Sequence, residues 1–302
     1  MFAGRAGKTD IELEIRIRMP RQQLLHVLRL DRAKLNPVHI FEQLRLEEAL
    51  YRANDDNWIV VNDGGNAIPH PSVVLGISGK PTVMCDVSRV ERESVPLFRR
   101  FTGGGTVVVG RGTTFISLIG NKSMLPPKDT RGPRELMRWS GKWYSNALEE
   151  CGVDVKSMNN DEHTFALREN DYVLGNRKFA GNAQGLSRTR FVHHTSVLWN
   201  YKKQDMKLLQ NPTKQPEYRA KREHEDFLIP LSETMSNRES LPNALIAELS
   251  KSIDFDELIE IDPDDSIIQN ILLQDHHKSN TYVNTENEKI PNWSFNVQKR
   301  WL

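Results

Sequence analysis

Residues 99–109 read "RRFTGGGTVVV": two arginines, then three consecutive glycines, then a run of β-branched residues. A plain turn needs one glycine or two. Three without Cβ atoms leave a backbone that another group can approach closely. Bare N–H groups in such a loop reach phosphate or carboxylate oxygens, and adjacent guanidinium groups add charge and bidentate hydrogen bonds. The run is not a Walker loop, because no Gly-Lys-Ser/Thr follows. It is not a dinucleotide fingerprint, because it leads into a strand and lacks GxGxxG spacing before a helix. On its own it reads equally well as a tight glycine-rich bulge with exposed arginines.

Working outward, "HIFEQLRLEEALYRAN" (39–54) carries apolar residues at three- and four-residue steps and predicts an amphipathic helix. "NWIVV" (57–61) and "SVVLGI" (72–77) predict strands separated by the turn chemistry of "NDGGNAIPHP". "GTVVV" (105–109) and "TFISLI" (114–119) flank "GRG" and predict a hairpin. "RELMRWSGKWYSNALEE" (134–150) predicts a long helix stopped at Gly152. Three β-like runs follow near 164–168, 171–179 and 189–200, with helical pieces at roughly 204–210 and 218–228. Beyond about 240 a single helix (241–251) is expected. The acidic "DFDELIEIDPDDS" and the polar "HHKSNTYVNTENEKIPN" then predict a loosely packed, partly disordered tail. The fold class is α+β: a mixed, mostly antiparallel sheet flanked by helices. Residues 1–20 are expected as an N-terminal extension, 21–235 as one α+β domain and 236–302 as a helical, acidic, partly disordered tail.

The 302 residues hold 41 Lys and Arg against 40 Asp and Glu, a formal charge of +1, so no global basic field for nucleic acid is present. No apolar run approaches the roughly 18 residues of a membrane span. The two cysteines, Cys85 and Cys151, form no CxxC, which disfavours a disulfide framework or structural zinc and points to a reducing compartment. Cytoplasm and mitochondrion both fit. A monomer is expected.

Two later segments carry chemistry. In "NDYVLGNRKFAGNAQ" (170–184) Lys178 is flanked by small residues that leave room for a ligand, and Asp171 offers a carboxylate suited to Mg²⁺. The plainer readings are a solvent-facing strand lysine and a turn aspartate. In "RFVHHTSVLWNY" (190–201), His193 and His194 alternate faces on a strand, so only one can face a site.

Order and spacing together say more. Arg-Arg-x-Thr-Gly-Gly-Gly-Thr-Val, then Asn-Asp, then Gly-x-Arg-Lys-x-x-Gly-x-Ala-Gln, then His-His-Thr resembles the lipoate–protein ligase A family of the biotin/lipoate ligase group, over about residues 20–235. The resemblance implies a biotin/lipoate ligase-like catalytic domain that activates lipoate with ATP and Mg²⁺, or uses lipoyl-AMP, and acylates a carrier lysine. It implies as acceptors the glycine-cleavage H protein and the acyltransferase subunits of 2-oxoacid dehydrogenases. Carried over, Arg100, Gly103, Gly104, Gly105, Thr106, Val107 and Val108 would hold the adenylate. Lys178 would be catalytic and contact the lipoyl carbonyl and α-phosphate. Gly181, Ala183 and one of His193 and His194 would line the lipoyl tunnel, and Asp171 would be the magnesium ligand.

The sequence also departs from the family. Its usual His-Asp and Gly-Asn after the glycines are replaced by Val109–Gly110 and Gly112–Thr113, which puts ATP activation in question. A transferase that takes preformed adenylate and a non-catalytic binding protein are the alternatives. Neither Cys85 nor Cys151 stands where a cysteine acyl-enzyme relative would have its nucleophile. "KQPEYRAKREHEDFL" (214–228) reads either as a basic docking patch for an acidic carrier or as a solvated helix face.

Overall fold

The computed structural model describes residues 23–32, 39–63, 70–156, 163–211, 215–275 and 282–283. The expected extension (1–20), Lys214 of the basic patch and most of the tail beyond 275 lie outside these residues. In chain order the elements are β1 (Leu24–Arg29), α1 (Ile40–Arg52), β2 (Asn57–Asn62), β3 (Ser72–Leu75), α2 (Pro81–Met84), α3 (Val87–Arg92), β4 (Leu97–Arg99), β5 (Val107–Val109), β6 (Thr113–Asn121) and α4 (Pro133–Glu150). Then come β7 (Phe165–Arg168), β8 (Asp171–Leu174), β9 (Arg177–Leu186), β10 (Arg190–Leu198), α5 (Lys203–Met206), α6 (His224–Phe227), α7 (Ser240–Ser252), β11 (Glu257–Ile261), α8 (Ser266–Asp275) and β12 (Tyr282–Val283).

The strands form two sheets. The larger runs β11-β1-β2-β6-β10-β9-β8-β7 and the smaller β12-β4-β3-β5. In the larger sheet only β1–β11 and β1–β2 are parallel; in the smaller, only β3–β4. The mixed, mostly antiparallel architecture flanked by helices is as the sequence predicts.

Helix α1 is fixed at its start by a capping box, in which the His39 ring accepts from Phe41 N while Glu42 accepts from the His39 backbone N–H. It ties the sheets together. Ile40, Phe41 and Leu44 pack on Val74, Phe98 and Val109 of the smaller sheet, while Leu46, Ala49 and Leu50 pack on Trp58, Val60 and Ile119 of the larger one. On the opposite face of the larger sheet, α4 buries Leu136, Tyr144, Ala147 and Leu148 against Tyr172, Phe179 and Phe191. It ends at Cys151, with Gly152 at φ +82°, as the glycine stop predicts.

Four expectations are corrected. Residues 105–119 are not a hairpin: β5 pairs antiparallel with β3 and β6 pairs with β2 and β10, so the turn between them crosses from one sheet to the other. The run 171–179 is two strands, because Gly175 (φ +59°) turns the chain between β8 and β9, and β9 continues through "GNAQGL". The helical pieces shrink to the single turns α5 and α6, with residues 217–219 in one 3-10 turn. The segment after 236 is not a loose appendage as far as residue 275. Leu241, Leu245 and Leu249 of α7 are buried in the α4 core, and β11 adds a parallel strand beside β1. Full burial of one such leucine contributes about 1.5–3 kcal/mol, which the polar, acidic texture of the surrounding sequence conceals. Strands β1 and β4 have no counterpart in the sequence reading.

Candidate functional site

The two arginines that open the glycine run turn their side chains to different tasks. Arg99, at the end of β4, donates from Nη1 to the carbonyls of Gly76 (3.2 Å), Ile77 (3.2 Å) and Gly79, holding the 76–79 turn. Arg100 is buried, and its Nη2 donates to the carbonyls of Gly103 (3.0 Å) and Gly105 (2.8 Å), while Nε donates to Thr102 Oγ1 (3.2 Å). Burial lowers its pKa to about 10, so it stays cationic at neutral pH. Both guanidinium groups therefore shape backbone: one clamps the 76–79 turn, the other clamps the glycine loop.

The glycines are needed for different reasons. Gly104 sits at φ +114°, and a Cβ there would lie 2.7 Å from Arg100 Nη2 and 3.2 Å from Ala183 Cβ. At Gly103 and Gly105 a Cβ would meet nothing within 4 Å, so these two present open backbone. Gly76, which the sequence reading did not single out, lets the two clamped turns touch: a Cβ there would lie 2.3 Å from Gly104 O.

This loop forms one wall of a cavity of about 770 Å³. Arg100, Gly103, Gly104, Gly105, Thr106, Val107, Val108, Asp171, Lys178, Gly181, Ala183 and His194 all line it. Of the residues that the resemblance assigns to the site, His193 alone does not. The volume lies within the range of small-molecule and cofactor sites.

Across from the loop, the β8–β9 pairing sets Asp171 opposite Gly181. Lys178 Nζ lies 2.7 Å from Asp171 Oδ1, and Tyr218 OH donates to Asp171 Oδ2 at 2.8 Å. Gly181 leaves room for the lysine, since a Cβ there would lie 3.0 Å from Nζ. Burial, then the Asp171 carboxylate, push the Tyr218 hydroxyl well above its ordinary pKa, so it remains a donor. With one donor on each oxygen, Asp171 is not the open carboxylate expected for magnesium. Among the described residues no group of three His, Cys, Asp or Glu side chains is placed to hold a metal ion.

The segment that supplies Tyr218 spans the β8–β9 hairpin. Glu217 N donates to Glu169 Oε1 (2.7 Å), Arg222 Nη2 donates to Asn176 O (2.8 Å), and Ile229 N donates to Lys178 O (3.0 Å). Ala220 and Lys221 both have positive φ, 51° and 61°. Arg219 is buried, with its guanidinium 4.8 Å from the Phe227 ring centroid, so the residues expected as a basic helix face are partly interior. His224 lines the cavity; burial, reinforced by Arg219, lowers its pKa to about 4 and keeps it neutral.

At another part of the wall, His194 Nδ1 lies 2.9 Å from Glu47 Oε2 and 3.1 Å from Ser117 Oγ, and its Nε2 has no hydrogen-bond partner among the described residues. Gln43 Nε2 donates to Glu47 Oε1 (2.8 Å), and Asn62 Nδ2 donates to Gln43 Oε1 (2.9 Å). Gln43, Glu47, Ser117, Tyr218, His224 and Gly76 are the residues that sequence reasoning missed. For Gln43 and Glu47 a signal existed: they stand four apart on a helix, beside its apolar positions Ile40 and Leu44. For Tyr218 there was none.

His193 points to the other face. Its Nδ1 meets Gln184 Nε2 at 2.9 Å, and its Nε2 lies 3.3 Å from both Tyr172 OH and Thr195 Oγ1. Burial, with His194 adding to it, holds His193 down to about 3. An unfolded histidine (pKa about 6.5) binds its proton first as pH falls, so stability drops below pH 6.5. Between pH 7 and 5 His193 alone should remove on the order of 2 kcal/mol. Denaturant midpoints measured across that range should fall, and in His193→Gln the slope should flatten; an unchanged slope refutes the assignment.

Fold and cleft together define a mixed-sheet domain with a cofactor-sized cavity. Residues 39–252 match the family model described as "Lipoyl protein ligase A/B catalytic domain", and the chain belongs to this family. Over 261 residues it is 31% identical to "Inactive lipoate--protein ligase 2" of Plasmodium falciparum, covering 71% of this chain and 66% of that one. It thus spans just under two thirds of the length of that relative. The fold matches "Crystal structure of lipoate-protein ligase A bound with ATP" with a TM-score of 0.62, 18% identity and coverage of 88% of this chain and 96% of the other. A bi-partite lipoate protein ligase from Thermoplasma acidophilum, described with its E2 lipoyl domain, matches with a TM-score of 0.61, 18% identity and coverage of 88% and 94%.

Proposed function

We propose that this chain uses lipoyl-adenylate to acylate a lysine of a lipoyl-carrier protein. The observation that carries the reading is that Lys178 and the glycine loop line one cavity, together with the apolar side chains of Ile40, Leu44, Val74 and Phe115 available to the acyl chain. In the reaction the carrier's neutral amine attacks the acyl carbonyl of the mixed anhydride. A C–N bond forms and the acyl C–O bond breaks. AMP leaves with the electron pair, and the new ammonium gives its proton to solvent. Negative charge grows on the leaving phosphate. Lys178 Nζ and the N–H groups of Gly103 and Gly105 are the preorganised groups that oppose it. Arg100 acts one step back, by holding the loop. His194, with its free Nε2, belongs to the acyl pocket, and His193 keeps β9 and β10 in register through Gln184 and Thr195.

Formation of the adenylate is a separate matter. The turn at 110–113, where the family's His-Asp and Gly-Asn are missing, is fixed by Arg238, which donates to Arg111 O (2.8 Å), Thr113 O (2.7 Å) and Thr114 Oγ1 (2.9 Å). Its Gly112 packs against the Asn200 carbonyl, where a Cβ would come within 1.9 Å. This clamped turn favours a second reading, transfer without ATP activation. ATP is bound in the lipoate–protein ligase A neighbour, so both routes are tested together. The protein is incubated with apo H protein or an apo lipoyl domain, with either lipoate and ATP–Mg²⁺ or synthetic lipoyl-adenylate, and the intact carrier mass is measured. Lipoylation in both arms makes the chain a complete ligase. Lipoylation from the adenylate alone makes it a transferase. No mass shift in either arm overturns the transfer reading in favour of a binding protein.

Tyr218→Phe removes the donor to Asp171 without opening a cavity. Lys178 then shares Asp171 with nothing else and is drawn more fully into the ion pair. Turnover with lipoyl-adenylate should fall roughly tenfold with little change in KM, the weight of one charge-assisted hydrogen bond. A wild-type kcat in this variant refutes the link.

A further inference from the structure

Four large apolar side chains are exposed among the described residues, and two of them, Ile77 (47% exposed) and Val83 (43%), fall within seven residues of each other. This segment is part of the cavity's rim. Arg99 pins its first turn, Ile77 N donates to Thr102 O at 3.0 Å, Gly76 touches Gly104, and Met84 at its end lines the cavity. The placement is therefore rigid, and it lies against the loop that carries the open glycine backbone.

The charge close to this pair in the chain is mainly positive. Residues 70–85 contain no acidic side chain and one lysine, exposed Lys80. The neighbouring strip 202–210 is joined to it through Gln210 N to Met84 O (2.9 Å) and Asp86 N to Leu208 O (3.0 Å). It adds exposed Lys202, Lys203 and Lys207 against Asp205, with Lys203 also 3.7 Å from Glu225 of α6. An apolar pair with four exposed lysines on its own and the adjoining segment, beside the mouth of the cavity, fits a protein surface with an apolar centre and acidic surroundings.

We propose that the rim 77–83, with the lysines of 202–207 beside it, is the docking surface for an acidic carrier domain that presents its acceptor lysine to the cavity. This rests on the transfer reading above, which requires a macromolecular acceptor at this mouth. Two exposed apolar side chains make an anchor of the size that dominates small interfaces, and the lysines steer the encounter.

The test uses the full chain with Ile77→Asp, Val83→Asp and Lys80→Glu. Three quantities are measured: KM for an apo lipoyl domain with synthetic lipoyl-adenylate, affinity for that domain by titration, and affinity for lipoyl-sulfamoyl-adenosine as a carrier-independent readout. Each aspartate should raise KM and weaken domain binding roughly tenfold or more, with analogue affinity unchanged. Lys80→Glu should chiefly slow association and remove part of its salt dependence. A wild-type protein that acylates the domain, with variants that match it, overturns the docking surface and leaves the transfer reading standing. Wild-type protein that binds the domain through this rim without acylating it does the reverse. Equal loss of analogue affinity would put the lesion in the cavity, and sedimentation with phosphatidylserine vesicles that Ile77→Asp abolishes, with KM unaltered, would put a membrane there; either overturns the proposal.

Discussion

Lys178→Ala is expected to cut lipoyl transfer from synthetic lipoyl-adenylate by roughly 10²–10³-fold, with binding of the acyl chain largely retained. Two effects act in one direction. The ammonium that opposes charge on the leaving phosphate is gone, and Asp171 keeps its own negative charge beside the same phosphate. Only Tyr218 still donates to that carboxylate. In a cleft shielded from water an unpaired carboxylate repels the phosphate far more than it would in bulk solvent. Adding Asp171→Asn to Lys178→Ala should therefore recover part of the loss, a coupling that a double-mutant cycle measures directly. Single-turnover rates on the four proteins, with thermal melts to show that they are folded, decide the matter. Equal rates for wild type and Lys178→Ala would remove Lys178 from the chemistry.

Gly76→Ala should be nearly as damaging, though Gly76 is an ordinary glycine at the end of a strand in the sequence. Its Cβ would lie 2.3 Å from Gly104 O and 3.2 Å from Gly104 C. Backbone stands on both sides of the contact, so neither can yield as a flexible side chain would. The loop is also blocked behind, because Gly104 already approaches the Arg100 guanidinium and Ala183. The 102–105 turn must shift outward as a unit, carrying the open N–H groups of Gly103 and Gly105 with it. A displacement near 1 Å typically costs about 10²-fold in rate, while overpacking of this kind costs about 1–3 kcal/mol of stability. Gly103→Ala is the control for stability, since its Cβ would meet no atom within 4 Å. Transfer rate and melting temperature both at wild-type values in Gly76→Ala would show that the contact does not position the loop.

The contrast between Gly76 and Gly104 shows how far the sequence goes. A glycine triplet beside paired arginines is visible as a motif because its members are neighbours in the chain. The partner that forces one of them to be glycine comes from a different turn, and only the parallel pairing of β3 with β4 brings Gly76 to it. The arginines tell the same story: side chains suited to phosphate were visible, but their use as clamps on backbone carbonyls depends on where the turns fold.

By itself the sequence determined the ordered motifs, the two long helices, the strand-rich α+β character and the small-residue surroundings of Lys178, because these depend on local periodicity and on residues close in the chain. The tertiary structure decided what depends on distant segments meeting. It assigned β5 and β6 to different sheets, since the apolar alternation of a strand does not say which neighbour it pairs with. It drew α7 into the core, since Leu241, Leu245 and Leu249 at four-residue spacing line up against α4, and it set β11 beside β1. It sent His194 to the cavity and His193 away, since pleat alternation separates the two faces but only register chooses between them. It also closed Asp171 between Lys178 and Tyr218, the tyrosine 47 residues from it in the chain, because a carboxylate's partners are set by the packing around it.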